Sequence, residues 1–122
     1  CAAALAAISM METDDLAGAA RRIGEVLTSR LCALADRLAQ VGDVRGRGAM
    51  MAIELVAPDA TLRPDPALAK AVVAGCARRG VVLLACGTYG NVVRLLPPLV
   101  IEPSLLEDAL DVLAEALAAA TS

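Results

Sequence analysis

Hydrophobic positions recur along the chain at two different spacings, and the switches between them divide it into elements. Residues 1–11 are almost all apolar or small and read as the end of a helix, broken by Glu12-Thr13-Asp14-Asp15. Thr13 is positioned to cap the next helix, with acidic residues in a first turn where the helix dipole favours them. Leu16, Ala20, Ile23, Leu27, Leu31, Leu34 and Leu38 then follow at steps of three and four. That stripe predicts one long amphipathic helix over about 14–39. Arg21, Arg22, Glu25, Arg30, Asp36 and Arg37 fall mostly off it and read as a solvated face.

The pattern changes at Gly42-Asp43-Val44-Arg45-Gly46-Arg47-Gly48, where three glycines fall close together before an apolar run. We read a short strand, a bulge or sharp turn at the glycines, and a strand at about 49–56. Residues 57–64 form a loop. Asp65-Pro66 supplies an N-cap and a proline for the first helical turn, and Gly80 supplies a stop. Between them Leu68, Val72, Val73 and Cys76 make a helical stripe, with Arg78 and Arg79 in the last turn. The apolar run Val81–Cys86 predicts a buried strand, Gly87–Asn91 a turn, and Val92–Leu96 a second strand ended by Pro97-Pro98. Ser104-x-x-Glu107 reads as a capping box opening a helix whose stripe is Leu106, Leu110, Leu113 and Leu117. The order of elements predicts an α/β (α+β) fold in which helices pack on a small sheet, as one domain over residues 1–122.

Composition narrows the chemistry. The chain has no histidine, which removes Ser-His-Asp and Cys-His catalysis and histidine metal sites. Eleven Lys+Arg against 14 Asp+Glu leave a net charge of -3, so no basic nucleic-acid footprint is expected. With no Phe or Trp and a single Tyr, the core must be built from Leu, Val, Ile and Ala. Cys1, Cys32, Cys76 and Cys86 show no C-x-x-C spacing. They predict four free thiols, a reducing compartment and no metal site. No segment reads as a signal peptide or a membrane span. The start at Cys1, inside an apolar stretch, suggests that an upstream part is missing.

Two side chains are candidates for chemistry. Arg94 interrupts an otherwise apolar strand and cannot shed its charge. Burying it alone would cost several kcal/mol, about what breaking a buried ion pair costs. Three readings stay open: an ion pair with Glu54 or another acid across the sheet, simple exposure, or a carboxylate-bearing ligand gripped through two parallel hydrogen bonds. Lys70 is the only lysine and so the only possible Schiff-base amine, but it lies outside the apolar stripe of its helix and reads as non-catalytic.

Two blocks carry a resemblance. They are Gly42-Asp43-Val44-Arg45-Gly46-x-Gly48-Ala49-Met50-x-Ala52-Ile53-Glu54-Leu55 and, beyond Gly80, Cys86-Gly87-x-Tyr89-x-Asn91-Val92-x-Arg94-x-Leu96-x-Pro98-Leu99. Together they resemble the C-terminal segment of class III pyridoxal-phosphate-dependent aminotransferases. The second block is most similar to the 4-aminobutyrate branch, and ornithine and acetylornithine relatives share its Arg-x-x-x-Pro-Leu core. The resemblance implies the small C-terminal domain of a fold-type-I enzyme whose large cofactor domain is absent from this chain. It implies that Arg94 holds the α-carboxylate of glutamate or 2-oxoglutarate. In the 4-aminobutyrate half-reaction it implies that Arg94 pairs instead with a glutamate of the large domain. Arg45, Gly46 and Gly48 would be structural.

It further implies pyridoxal 5'-phosphate in the full-length enzyme, none bound to this chain, and no catalytic or cofactor-binding residue here. The 122-residue chain alone would then be inactive, because the Schiff-base lysine is missing. A cytoplasmic homodimer that binds neither nucleic acid nor membrane would be the full-length form. Two alternatives remain at this point: another class III ω-aminotransferase, or a non-catalytic module that binds small carboxylates or a partner.

Overall fold

The computed structural model describes residues 1–59 and 61–122. Helix α1 spans Ala2–Thr13 and α2 Leu16–Ala35. Strands β1 (Val41–Arg47) and β2 (Met50–Leu55) follow, then α3 (Pro66–Arg78). Strands β3 (Leu84–Cys86) and β4 (Val92–Leu95) precede α4 (Pro103–Thr121). The four strands form one antiparallel sheet in the order β1-β2-β4-β3. The expected α/β (α+β) arrangement of helices on a small sheet is therefore present.

The helical stripes meet on one side of that sheet. Ile23, Leu27, Leu31 and Leu34 of α2, Leu68, Val72 and Cys76 of α3, and Leu106, Leu110, Leu113 and Leu117 of α4 are all buried. They close over Met51, Ile53 and Leu55 of β2 and Val93 and Leu95 of β4. Gly24 lets α2 approach the hairpin closely: a Cβ there would stand 2.6 Å from the carbonyl oxygen of Gly48. Gly48, at φ +55°, begins the two-residue turn between β1 and β2. A side chain would be strained at that angle.

The start of α3 follows the sequence, and those of α2 and α4 differ from it. Asp65 caps α3 by accepting from the Leu68 N–H at 2.9 Å, with Pro66 in the first turn, as the sequence predicts. Helix α2 is capped not by Thr13 but by Asp15, whose carboxylate accepts from the Gly18 N–H at 3.1 Å. Thr13 ends α1 instead, its hydroxyl donating to the Ser9 carbonyl. The capping box at Ser104 does not form. Pro103 starts α4 two residues earlier with Glu102 as N-cap, which leaves Ser104 inside the first turn. Glu107 is drawn away to Arg30, whose guanidinium joins α2 to both Glu107 and Asp111 of α4. Arg30 therefore belongs to an interhelical ion pair rather than to a solvated face.

Two apolar segments are left uncovered. The expected buried strand at 81–86 is an edge strand of three residues. Val82 is 84% exposed and Leu84 54%, because β3 pairs only with β4 and no helix covers its outer side. Helix α1 has no buried residue, and Leu5, Ile8, Met10 and Met11 are all exposed. The accessible surface is 7393 Å². That is roughly 1,300 Å² more than a compact monomer of this mass is expected to show.

All four cysteines are free; Cys76 is fully buried and Cys1 and Cys32 are exposed. Burial pushes the Cys76 thiol above the ordinary thiol range, with Arg79 opposing weakly. Unfolding therefore favours thiolate formation. The contribution of Cys76 to stability is complete below the unfolded thiol pKa and is lost as pH rises through the folded one. Chemical denaturation at stepped alkaline pH should show stability falling across that window, with a shallower fall in Cys76→Ala. Leu31→Ala, at a fully buried α2 position, should cost about 2–5 kcal/mol in the same assay at neutral pH.

Candidate functional site

With helices on one side only, the sheet's other face is open, and the two-residue period decides what stands on it. In β4, Val93 and Leu95 point into the core, so Arg94 points out and is exposed. The buried-charge premise is thus corrected. The segment 92–96 looked uniformly apolar because Val92 and Leu96, which share the parity of Arg94, mask the alternation. Val92 is buried on the open face under the Gly87 turn, where a Cβ would come within 2.8 Å of it.

Register places the neighbours. Arg45, Ala52, Arg94 and Leu84 form a row across the four strands, and Asp43, Glu54, Val92 and Cys86 form the next. The first row depends on a bulge: the pairing slips between Val41 and Asp43, leaving Gly42 as the extra residue. Without it Val41 and Asp43 would share a face. With it Val41 is buried, and Asp43 and Arg45 come out onto the open side.

On this face the charges have sorted themselves. The Arg45 guanidinium donates to Asp43 Oδ2 at 2.6 Å and to Glu54 Oε2 at 2.7 Å. Its bond to Asp43, and then that to Glu54, hold its proton more firmly than usual. Asn91, 2% exposed, donates from Nδ2 to the Leu55 carbonyl at 2.9 Å and to Glu54 Oε1 at 3.3 Å. Glu54 is thus held at both oxygens, and the ion pair between Glu54 and Arg94 that the sequence left open does not form. Among the described residues the Arg94 side chain has no ion pair and no hydrogen-bond partner. Around it stand Leu84, Leu96 (59% exposed) and Met50, apolar side chains on an uncovered face. The apolar groove of about 330 Å³ between residues 80–83 and α4 does not include Arg94.

The contacts that sequence reading did not supply here are those of Arg45 and Asn91 with Glu54. Arg45 read as structural and Asn91 as part of a turn. The available signal was register: once β1 and β2 pair around Gly48, Arg45 and Glu54 become diagonal neighbours. Lys70, the only lysine, lies exposed on the outer side of α3, with no desolvating surroundings to activate an amine.

The sequence matches the family described as Aminotransferase class-III over residues 1–117. The chain belongs to the class-III aminotransferase family. Among this family's curated members, a 4-aminobutyrate aminotransferase of Mycobacterium leprae is 48% identical over 96% of this chain and 26% of its own length. A 5-aminovalerate aminotransferase of Pseudomonas putida is 42% identical over 97% of this chain and 28% of its own. A phospholyase structure from Arthrobacter, in complex with phosphoethanolamine, superposes with a TM-score of 0.87 at 34% identity. It covers 93% of this chain and 27% of its own. A Bacillus anthracis aminotransferase superposes at 0.86, with 28% identity over 95% of this chain and 27% of its own. The class-III segment here thus spans about a quarter of the length of its relatives. No helix is long and apolar enough to cross a membrane.

Asn91 is expected to hold the two inner strands and Glu54 together. Asn91→Ala removes both of these hydrogen bonds, while the Leu55 carbonyl keeps the Asp65 N–H at 3.0 Å; the loss of two net hydrogen bonds should cost about 1–3 kcal/mol in chemical denaturation.

Proposed function

We propose that this chain is the small-domain part of a 4-aminobutyrate:2-oxoglutarate aminotransferase, in which Arg94 binds the substrate carboxylate. One observation carries the reading: Arg94 is a permanently charged fork left without an acid on an open face, while the nearest competing acid is held by Arg45. The partner it lacks is an anion from outside this body. A planar guanidinium holds a carboxylate through two parallel charge-assisted bonds and so fixes its orientation as well as its position.

The names of the relatives supply the substrate class. Several related at 46–48% identity are named 4-aminobutyrate aminotransferase. The fold alone would not choose the reaction, since a phospholyase shares it. Pyridoxal phosphate, bound by the large domain outside these 122 residues, supplies the amino-transfer chemistry. The share of this segment is to bind and align 2-oxoglutarate or glutamate. The exposed α1 and the uncovered sheet face suit a body that docks on that large domain and, in the full-length enzyme, forms part of a homodimer. A second reading keeps the same role for Arg94 but takes 5-aminovalerate as amino donor, supported by the relatives of that name at 40–42% identity.

Steady-state kinetics of the full-length enzyme test this. Arg94→Lys replaces a fork with a point charge, and Arg94→Gln removes the charge. Both should raise KM for 2-oxoglutarate, the glutamine variant by about 10- to 100-fold, the worth of a charge-assisted hydrogen bond pair. An unchanged KM in both would overturn the assignment. Comparing kcat/KM for 4-aminobutyrate and 5-aminovalerate separates the two donors.

A further inference from the structure

We propose that Arg45 is a positioning residue that keeps Arg94 available for substrate by holding Glu54 away from it. The inference rests on the carboxylate-binding role just given to Arg94 and adds the device that protects it. Ala52 lies directly across from Arg45 on one side and directly across from Arg94 on the other. Glu54, two residues along the same strand and on the same face, is therefore a diagonal neighbour of both arginines. Diagonal pairs on a sheet face are within reach of long side chains. Ala52, between them, has only a methyl group and cannot intervene.

Glu54 thus has two possible cationic partners, and only one arrangement leaves the site usable. If it paired with Arg94, an incoming carboxylate would first have to displace an acid tethered on the same sheet. A tethered acid competes at high effective concentration. Arg45 prevents this by taking Oε2 at 2.7 Å, and Asn91 restrains Oε1 from the other side. Asp43 in turn fixes Arg45 at 2.6 Å. Arg45 holds two carboxylates with one guanidinium, and Arg94, on the inner strand β4, is left without an acid; Arg47, also without an ion pair among the described residues, lies at the far end of the edge strand β1, opposite Met50. Asp43 and Arg45 reach this face only because of the Gly42 bulge.

The test compares variants of the full-length enzyme by KM for 2-oxoglutarate and by Ki for glutarate, a dicarboxylate that cannot accept an amino group. Arg45→Gln frees Glu54 and is expected to raise both by about three- to tenfold, with kcat changed less than twofold. Arg45→Gln/Glu54→Gln also removes the competitor and is expected to return both constants close to the parent values. Denaturation midpoints of each variant are measured alongside, because the single variant leaves Glu54 without its cation: recovery of Ki without a matching recovery of stability is expected, and recovery only in step with stability overturns the inference. Arg45→Lys keeps a cation beside Glu54 and should recover most of the loss, which preserves the test if Arg45→Gln folds poorly. An Arg45→Gln enzyme with unchanged Ki, or a double variant no better than the single one, overturns the inference. Arg94→Gln run in parallel separates the levels. If it raises Ki while Arg45→Gln does not, only the positioning role fails; if it leaves Ki unchanged, the carboxylate reading fails and the positioning role with it.

Discussion

The one-sided sheet is the constraint from which the rest follows. Helices α2, α3 and α4 cover a single face, so each strand residue is assigned by parity to the core or to the open side. The core side is ordinary aliphatic packing among Leu27, Leu31, Ile53, Leu55, Val93 and Leu113. The open side collects the polar members of the same strands, Asp43, Arg45, Arg47, Glu54 and Arg94, together with exposed apolar residues such as Met50, Leu84 and Leu96. Stability and chemistry therefore share the same strands and are separated only by which way a side chain points. Disturbing the register of β2 or β4 would damage both.

Within that frame, electrostatics on the open side is a matter of allocation. Three arginines, at positions 45, 47 and 94, and two acids, Asp43 and Glu54, sit on adjoining strands, and the pairs that form decide what remains unpaired. Interhelical ion pairs elsewhere, such as Arg30 with Glu107 and Asp111 or Arg79 with Glu115, are exposed or half-exposed and fasten α4 to its neighbours. Pairs of that kind contribute little individually to stability. The Arg45 cluster is equally exposed, and its weight lies in which carboxylate it occupies rather than in the energy it adds.

Much of this was legible in the chain. The stripes of α2, α3 and α4, the Asp65-Pro66 start, the β1–β2 turn and the β3–β4 hairpin follow from periodicity and from single decisive residues. Arg94 stood out because it broke an apolar run. The environment of Arg94 was not legible, because a strand bounded by Val92 and Leu96 looks buried on both faces, and only the sheet's layering shows otherwise. The capping errors have a local cause: Pro103 and Asp15 each compete with an adjacent, equally plausible signal. The role of Arg45 was invisible for a different reason. It depends on strand register and on a one-residue slip, which no window of sequence displays.

That slip, at Gly42, separates two sets of demands along one strand. Upstream of it β1 answers to the hydrophobic interior, and downstream its odd-numbered positions answer to charge. The inserted residue acts as a dislocation in an otherwise regular lattice, letting a seven-residue ribbon serve two masters in sequence. Lengthening or shortening the ribbon by one residue at that point would exchange them, turning arginine toward oil and valine toward water.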